Sequence, residues 1–462
     1  MTLHTIPSAS SGYITAVAYP DHFHREIMPV WLVSTLQALG RRSPDIGKPY
    51  VWLDLGCGTG ISTLIAAATN PNGRFIGVDF NADEIAQARQ LAGRAGIGNV
   101  TFLHASFDSL LDDPQCRLPE CDFIVTHGVY SWIDAAMRQA IHRIVQARLR
   151  PGGVFYVSYI THPGAASFSA AQRMLRLVAQ GTEGTTQHKV RQGVGWLKRM
   201  ADNGAGYFSE HASALREVSS LDTMDASYLA HEFLNAQWQP FHVSDMIDAM
   251  HSIGCDYAGS ANLLENIDAL SIPGKMAPAM ADMHRAGWDI ARMETARDIA
   301  RNQNQRRDIY QKRVDHGNAL SADAHRQTLL RQRMVLLPQA PSLAQIQAQP
   351  DNAELVFDTR IGPVSIAGSY VAPLLQALRE GPLTYADLLA LPAYRRHPGM
   401  VSQLLQALAW MGWTHFLRPD ANDAPAPDID GGLATVLEER HHNQAMPHYL
   451  PMLAIGSAIP AP

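Results

Sequence analysis

The sequence predicts an α/β protein with a doubly wound, mostly parallel sheet, a helical insertion and a smaller C-terminal domain. Three observations support the sheet. Short apolar runs alternate with helical periods five times between about residues 50 and 160, which is the pattern of parallel strands joined by crossover helices. The first apolar run ends in a glycine-rich turn. The alternation stops after residue 163, and a sheet-like pattern returns near residue 241.

Five strands are predicted where apolar runs end near a glycine or a polar residue. In chain order they are YVWLDLG, RFIGVDF, NVTFLHA, CDFIVTHG and VFYVSY. The helices between them show apolar residues at helical spacing and carry capping or stop signals. Asn81 or Asp83 can cap the helix ADEIAQARQLAGRAG, which Gly96 ends, and the turn RPGG precedes the fifth strand.

Residues 163–240 predict helices and loops, with glycine-rich breaks at 181–184 and 203–206. The sheet pattern then returns in CDYAGSA and RRDIYQKR, with a long polar helix near 278–304 between them. Ligands of doubly wound sheets bind beyond the carboxyl ends of the strands. We therefore expect the inserted helices to cover that edge.

The C-terminal part predicts a small mixed domain. Its strands are expected at ELVFDT, PVSIA and WTHFL, and its helices at YVAPLLQALREG, TYADLLAL and GMVSQLLQALAWMG. Three short helices with a small sheet resemble a winged-helix module. Such modules often bind DNA, but no Lys or Arg lies between Gly399 and His415, so a packing or protein-contact role is favoured.

The predicted organisation has seven parts. They are an N-terminal lid (1–48), a ligand-binding sheet domain (49–162), an inserted helical region (163–240), the completion of the sheet (241–315), a linker (316–352), the winged-helix-like domain (353–418) and a linker with a tail (419–462).

Composition excludes several classes of protein. Of the 462 residues, 46% are hydrophobic and 17% are charged, which excludes a chain that is disordered throughout. The net charge of -6 gives no positive field for nucleic acid or an anionic membrane. The apolar stretches fall short of the roughly 20 residues that span a bilayer, and the N-terminus lacks a signal-peptide pattern. We expect a cytoplasmic protein that binds neither nucleic acid nor membrane.

Cysteine and histidine spacing predicts no metal site. The four cysteines lack the paired spacing of a zinc centre. The pairs His22/His24 and His441/His442 have no carboxylate or cysteine pattern beside them.

The turn after the first strand reads DLGCGTG, from Asp54 to Gly60. Its glycines let the backbone turn tightly and approach a ligand closely. A dinucleotide fingerprint has its third glycine where this chain has Ile61, which disfavours NAD. The spacing suits S-adenosylmethionine (SAM), whose amino-acid end and sulfonium can meet loop amides and a nearby carboxylate. Asp79 ends the second strand about 20 residues later, where a carboxylate can accept both ribose hydroxyls.

The segments DLGCGTG, GVDF and RPGG, in this order, resemble class I SAM-dependent methyltransferases, whose sheet is Rossmann-like. THGVYSW, VSYITHPG, YLAHEFL and NQNQRRDIY are similar to the bacterial family that carries a methyltransferase regulatory domain. The resemblance covers about residues 13–315. It implies a SAM-dependent methyltransferase, and the family includes bacterial protein-lysine methyltransferases that modify outer-membrane proteins.

The motifs and this resemblance together predict the cofactor-binding residues. They are Asp54, Gly56, Gly58, Gly60, Asp79, Ser106, Phe107, His127 and, from the N-terminal lid, Tyr19. Ser106 stands where related enzymes often have an acidic residue for the adenine amino group. Adenine recognition is therefore expected from Ser106, the Phe107 backbone or Asp108.

Aromatic side chains at the strand ends are the predicted catalytic residues. Tyr130 and Trp132 follow the fourth strand, and Tyr159 ends the fifth. The sulfonium of SAM already activates the methyl group, so the protein chiefly positions the acceptor and excludes water. These three rings are expected to wall the acceptor pocket, and His127 to contact cofactor or acceptor.

Three functions stay open at this point. The first is methylation of a protein side chain, and the resemblance points to lysine. The second is methylation of a small metabolite or biosynthetic intermediate, and the third is an inactive SAM-binding scaffold. The expected partner is thus a protein or small-molecule methyl acceptor, and a homodimer is one open oligomeric state.

Overall fold

The computed structural model of the chain describes eight stretches. They are residues 13–14, 20–112, 118–342, 344–345, 354–395, 398–421, 432–444 and 447–461.

Seven strands form the central sheet. They are β1 (Tyr50–Leu55), β2 (Gly73–Asp79), β3 (Val100–His104), β4 (Cys121–Thr126), β5 (Leu149–Ile160), β6 (Cys255–Ser260) and β7 (Gln305–Lys312). Their order across the sheet is β3-β2-β1-β4-β5-β7-β6. Strands β1 to β5 run parallel, whereas β7 is antiparallel to both β5 and β6. The predicted doubly wound, mostly parallel sheet is confirmed, and its order reverses between β1 and β4.

Thirteen helices accompany these strands in the described stretches up to residue 312. They are α1 (Pro29–Ala38), α2 (Ile61–Thr69), α3 (Ala82–Arg94), α4 (Ala135–Arg148), α5 (Ser169–Gln180), α6 (Thr186–Asp202), α7 (Gly206–Glu210), α8 (Ala212–Ser220), α9 (Ala226–Phe233), α10 (Val243–Ser252), α11 (Asp268–Ser271), α12 (Ala277–Arg285) and α13 (Ile290–Arg301). Apolar residues of α1, α2 and α3 cover one face of the sheet, and those of α4 and α10 cover the other.

Local sequence signals explain most of these boundaries. Asn81 caps α3 by accepting the amide of Asp83, as predicted. The predicted long polar helix near 278–304 is instead two helices, because Gly287 adopts a left-handed backbone (φ 71°) and Asp289 then caps α13. The RPGG turn lies inside β5, which begins earlier than predicted.

The helices α5 to α9 pack around an apolar cluster of their own. Its buried members include Phe168, Leu175, Val190, Val194, Val218, Leu221 and Leu229. This helical region meets the sheet domain at the loop after β4. There the indole nitrogen of Trp132 donates to the Glu232 carbonyl at 3.1 Å, and the Gln239 amide donates to the Ser131 carbonyl at 2.9 Å.

The C-terminal part adds five helices and seven strands among the residues that the structure describes. They are α14 (Ala322–Arg331), β8 (Arg333–Leu336), β9 (Glu354–Thr359), β10 (Gly362–Ala367), α15 (Gly368–Arg379), β11 (Leu383–Thr384), α16 (Tyr385–Ala390), α17 (Pro398–Trp410), β12 (Thr414–Phe416), α18 (Gly432–Gln444), β13 (Tyr449–Met452) and β14 (Ser457–Pro460). Strand β8 pairs antiparallel with β11 and β12, while β9/β10 and β13/β14 are hairpins. None of the described helices is long and apolar enough to cross a lipid bilayer.

The segment 316–352, predicted as a linker, contributes to the fold. It contains α14 and β8, and β8 is the central strand of the three-stranded sheet. Its Gln, Ala and Pro content concealed a four-residue strand whose partners lie about 50 and 80 residues further along the chain. The winged-helix-like domain and the other domain boundaries stay predictions.

The C-terminal part shares an apolar core with the sheet domain. One buried cluster contains residues of α1, α2, α15, α17 and α18, among them Trp31, Leu64, Leu374, Leu404 and Leu437. Polar contacts reinforce this packing. Asn70, after α2, donates to the Gly456 carbonyl at 3.0 Å, and Arg418 donates to the Thr69 carbonyl at 3.2 Å.

Candidate active site

A cavity of about 280 Å³ lies at the carboxyl ends of β1, β2 and β4, where the strand order reverses. Doubly wound sheets bind their ligands at this position. Eight of the residues proposed from the sequence line it, namely Asp54, Gly56, Gly58, Asp79, Ser106, Phe107, His127 and Trp132.

The glycine loop between β1 and α2 brings backbone close to this cavity. Gly56 has φ 87°, and a Cβ there would lie 2.4 Å from a methyl carbon of Val129. Gly60 has φ 77°, and its added Cβ would lie 2.6 Å from the ring of Phe102. Gly60 therefore packs against β3 and does not line the cavity. Side chains at either position would push the loop out of place.

Asp79, at the end of β2, fixes the glycine loop through hydrogen bonds. Its two carboxylate oxygens accept the amides of Gly58 at 3.0 Å and Asn81 at 2.9 Å. Burial raises the pKa of this carboxyl, and the amide hydrogen bonds oppose that effect. A carboxylate so fixed beside the cavity can also accept a pair of ribose hydroxyls.

Asp54, at the end of β1, is the second predicted carboxylate. It is buried, and it accepts a hydrogen bond from the Thr63 hydroxyl at 2.8 Å. Burial raises its pKa to about 7, with a contribution from the charge of Asp79. Asp54 is therefore poised to ionise when a cation enters the cavity.

Two further cavity carboxyls escaped the sequence-based assignment of the site. Glu84, in the first turn of α3, has its pKa raised to about 8 by burial and by the charges of Asp79 and Asp21. Asp21 lies in the segment before α1 and accepts the Thr59 hydroxyl at 2.5 Å. This segment belongs to the predicted N-terminal lid, but no spacing rule singled out Asp21 or Glu84.

The lining fits SAM. Among the described lining residues are five carboxyl groups, including Asp108, and no lysine or arginine. Such a cavity favours a cation, and SAM carries a net positive charge from its sulfonium and ammonium groups. Asp79 and the glycine loop would hold the ribose and amino-acid end, and Asp54 or Glu84 the ammonium.

The predicted adenine-side residues lie together at the end of β3. The Ser106 hydroxyl donates to Asp108 at 2.5 Å, and both residues line the cavity with Phe107. Ser106 thus orients a carboxylate two residues on. Related enzymes often have an acidic residue at the position of Ser106, and here the nearby carboxylate is that of Asp108. We therefore propose Asp108 as the residue that recognises the adenine amino group.

Two stacked histidines form another part of the cavity wall. The rings of His24 and His127 are parallel within 19°, with centroids 3.6 Å apart. Nδ1 of His127 lies 2.8 Å from the Tyr156 hydroxyl. Burial lowers the pKa of His24 to about 4, and His22 and Arg307 lower it further. Burial also lowers the pKa of His127 well below its usual range, with contributions from His24 and Arg307. Both imidazoles are therefore neutral near pH 7.

An aromatic wall stands beside the histidines. Trp132 is buried in a small cluster with Ile160, against which Tyr13 and Trp238 pack. Tyr13 also meets Phe80 edge-on at 5.8 Å, and Tyr13, Trp132 and Phe80 all line the cavity. The amide of Ile14 donates to the Asn235 side chain at 2.7 Å, which ties Tyr13 to the residues just after α9.

Tyr130 and Tyr159 do not line the cavity, which corrects their predicted catalytic role. The Tyr130 hydroxyl lies 2.8 Å from Nε2 of His142 on α4, inside the core on the opposite face of the sheet. The Tyr159 hydroxyl donates to Asp308 at 2.5 Å and is fully buried. Both hydroxyls serve internal hydrogen bonds.

Tyr19, predicted as a lid residue, lies outside the described residues. Tyr13, which sequence reasoning did not single out, provides an aromatic ring to the cavity. In the described part of the chain, no cluster of three or more His, Cys, Asp or Glu side chains could hold a metal ion.

Two family matches cover most of the sheet domain and the helical region. Residues 46–204 match the family described as a methyltransferase domain, and residues 225–312 match the predicted methyltransferase regulatory domain. An uncharacterized protein of Synechocystis sp. is 29% identical over 417 residues, which span 90% of this chain and 78% of the relative. A tRNA (guanine-N(7)-)-methyltransferase of Chloroflexus aggregans is 29% identical over 178 residues, or 36% of this chain and 71% of that protein.

Among solved structures, PKMT2 from Rickettsia typhi in complex with S-adenosylhomocysteine (AdoHcy) is similar over nearly the whole chain. The TM-score is 0.72 at 19% identity, with 96% of this chain and 86% of PKMT2 covered. At this identity the likeness establishes the shared fold. The glycine loop, the acidic cavity and the two domain matches identify the chain as a SAM-dependent methyltransferase with a methyltransferase domain and a match to the predicted methyltransferase regulatory domain.

Proposed function

We propose that this methyltransferase acts on the lysine side chains of proteins. The proposal is supported by the sequence resemblance to the bacterial family that includes protein-lysine methyltransferases, and the chain shares its fold with PKMT2 from Rickettsia typhi. The observation that carries it is the stacked pair His24 and His127, which is neutral and adjoins the aromatic residues Tyr13 and Trp132 in one cavity.

Neutral histidines suit an amine acceptor for an electrostatic reason. A lysine amine can attack only after it has lost its proton, and a desolvated site lowers the pKa of an amine. A charged imidazolium in the wall would repel both an incoming ammonium group and the cationic cofactor. Because burial holds the pKa of His24 at about 4, no such charge develops at physiological pH.

The chain's own residues then divide the work of positioning. When bound, SAM supplies a methyl group activated by its sulfonium. The carboxylates Asp54, Asp79 and Glu84 hold the cationic cofactor, and Tyr13 and Trp132 exclude water from the acceptor and limit its orientations. The lysine proton leaves to solvent, since a histidine with so low a pKa is a poor base for an amine.

The test is methyl transfer from radiolabelled SAM in a cell lysate, followed by acid hydrolysis of the labelled protein. Recovery of label as methyl-lysine supports the proposal. Label confined to small molecules would establish the metabolite alternative, and label in another amino acid would overturn the lysine assignment. Asp79→Asn should abolish labelling, whereas Asp248→Asn, which changes an exposed carboxyl on α10, should not.

We also propose a cytoplasmic location. The cysteines that the structure describes, Cys57, Cys121 and Cys255, are free thiols, as expected in a reducing compartment.

Light scattering tests the expected homodimer, because a measured mass twice that of one chain would establish it.

A further inference from the structure

The C-terminal helix α18 reaches the cofactor cavity through a buried ion pair. Arg440, near the end of α18, donates from Nε to one carboxylate oxygen of Asp21. The Asp21 side chain has no exposed surface, and only 10% of the Arg440 side chain is exposed. The two residues are more than 400 positions apart in the sequence, so this contact forms only in the complete fold.

The same carboxylate holds the glycine loop. Its second oxygen accepts the hydroxyl of Thr59 at 2.5 Å, and Thr59 lies between Gly58 and Gly60. Arg440, Asp21 and Thr59 therefore form a continuous chain of polar contacts from the C-terminal helix to the loop that is expected to bind the amino-acid end of SAM.

The charge arrangement gives Arg440 a second effect. Asp21 faces the other carboxyls of the cavity, and its charge contributes to the raised pKa of Glu84. No arginine or lysine is found among the described lining residues. Arg440 thus supplies a cation from behind the wall, where it compensates one buried carboxylate without competing with a cationic ligand.

We infer that Arg440 is a positioning residue for the cofactor site, acting through Asp21 to fix Thr59 and the glycine loop. The C-terminal helix thereby completes the SAM site, although both family matches end before it. This inference concerns cofactor binding alone. It stands whether or not the acceptor is a protein lysine.

Calorimetric titration of the full-length chain with SAM tests the inference. Arg440→Met keeps a long apolar stem but removes the charge and the donors. We expect SAM affinity to fall by about ten-fold or more, within the usual range for coupling in a buried network, while kcat at saturating SAM stays within about two-fold. Arg440→Lys restores the charge without the planar fork and should recover part of the affinity.

A control on the same helix separates this effect from general docking of α18. Glu439 pairs with Arg94 of α3, and both side chains are nearly half exposed. Glu439→Gln removes that surface contact and should leave SAM affinity unchanged. An equal loss in Glu439→Gln would overturn the specific role of Arg440.

A double-mutant cycle tests the route through Asp21. If Arg440 acts through Asp21, the combined variant Asp21→Asn/Arg440→Met should bind SAM no more weakly than Asp21→Asn alone. Additive losses, or wild-type affinity in Arg440→Met, would refute the inference. If Arg440→Met does not fold, Arg440→Lys carries the test, and wild-type SAM affinity in that variant refutes it.

Discussion

At the residue scale, two cavity carboxyls have pKa values near neutral pH, about 7 for Asp54 and about 8 for Glu84. Each is protonated below its pKa, and a cation binds to the ionised form. SAM affinity should therefore rise as the pH increases from about 6 to about 7.5, below the pH at which the α-amino group of SAM loses its own proton, and binding near pH 7 should release protons.

Calorimetry in buffers of different ionisation enthalpy measures that proton release. AdoHcy lacks the sulfonium charge and should show a weaker pH dependence than SAM. Asp54→Asn should remove the component near pH 7. A pH-independent SAM affinity in the unchanged protein would contradict the prediction.

Tyr159 is now expected to matter for stability and not for turnover. Its hydroxyl donates a hydrogen bond to Asp308, a fully buried carboxylate that also accepts one from the Arg306 guanidinium. Tyr159→Phe should lower the free energy of unfolding by about 1–3 kcal/mol, because it removes a donor from a buried charged group. Urea unfolding and steady-state kinetics check this, and a large fall in kcat with unchanged stability would restore the catalytic role.

The sequence supported the cofactor residues better than the catalytic ones. Asp54 and Asp79 follow from a motif in which spacing and strand ends agree. Tyr159 was misassigned because a strand end does not determine which face a side chain takes. In β5 the side chains alternate, so Tyr159 shares the face of Phe155 and Val157, whereas Tyr156 lies on the opposite face and approaches His127.

At the scale of elements, α9 is a helix of the inserted region that contacts residues of the cavity wall. The Glu232 carbonyl accepts a hydrogen bond from the Trp132 indole. Asn235, just after the helix, accepts one from the amide of Ile14, the residue after Tyr13. Hydrogen exchange with and without AdoHcy should show increased amide protection in α9 and the loop after β4. The short helix α7 serves as the internal control, and equal protection of α9 in both states would identify it as a fixed layer.

The strands of the main sheet were predicted from local pattern, whereas β8 was missed. All seven strands of the main sheet lie in segments that were predicted as strands. Strand β8 has only four residues and depends on β11 and β12 for its hydrogen bonds. The short apolar run MVLL at residues 334–337 is a local strand signal, but the sequence near it does not indicate the partners β11 and β12.

At the scale of the whole molecule, the sheet domain and the C-terminal part should unfold together. Leu437 of α18 is fully buried in the cluster that also contains Trp31 and Leu64. Leu437→Ala should lower the free energy of unfolding by about 2–5 kcal/mol. The urea midpoints measured by circular dichroism and by SAM binding should fall together. Glu438→Ala, at an exposed neighbouring position, should shift neither, and separate midpoints for the two probes would contradict a shared core.

The family matches divide the chain differently from the fold. Residues 225–312, matched as a regulatory domain, supply β6 and β7 of the same sheet that residues 46–204 begin. The predicted boundaries of this segment, 241–315, stay a prediction. A regulatory segment that contributes two strands moves with the catalytic sheet and not as a separate body.

The position of β7 between β5 and β6 has a consequence for synthesis on the ribosome. Strand β5 is complete about 150 residues before β7, which is roughly 8–30 seconds at about 5–20 residues per second. Throughout that interval the edge of β5 offers unpaired backbone groups to other strands. Among the described strands β6 pairs with β7 alone, so β6 cannot join the sheet before β7 is made. A nascent chain that already contains the whole glycine loop and Asp79 is thus still an aggregation hazard. Chaperone contact with this protein should therefore concentrate on chains halted between residues 160 and 312.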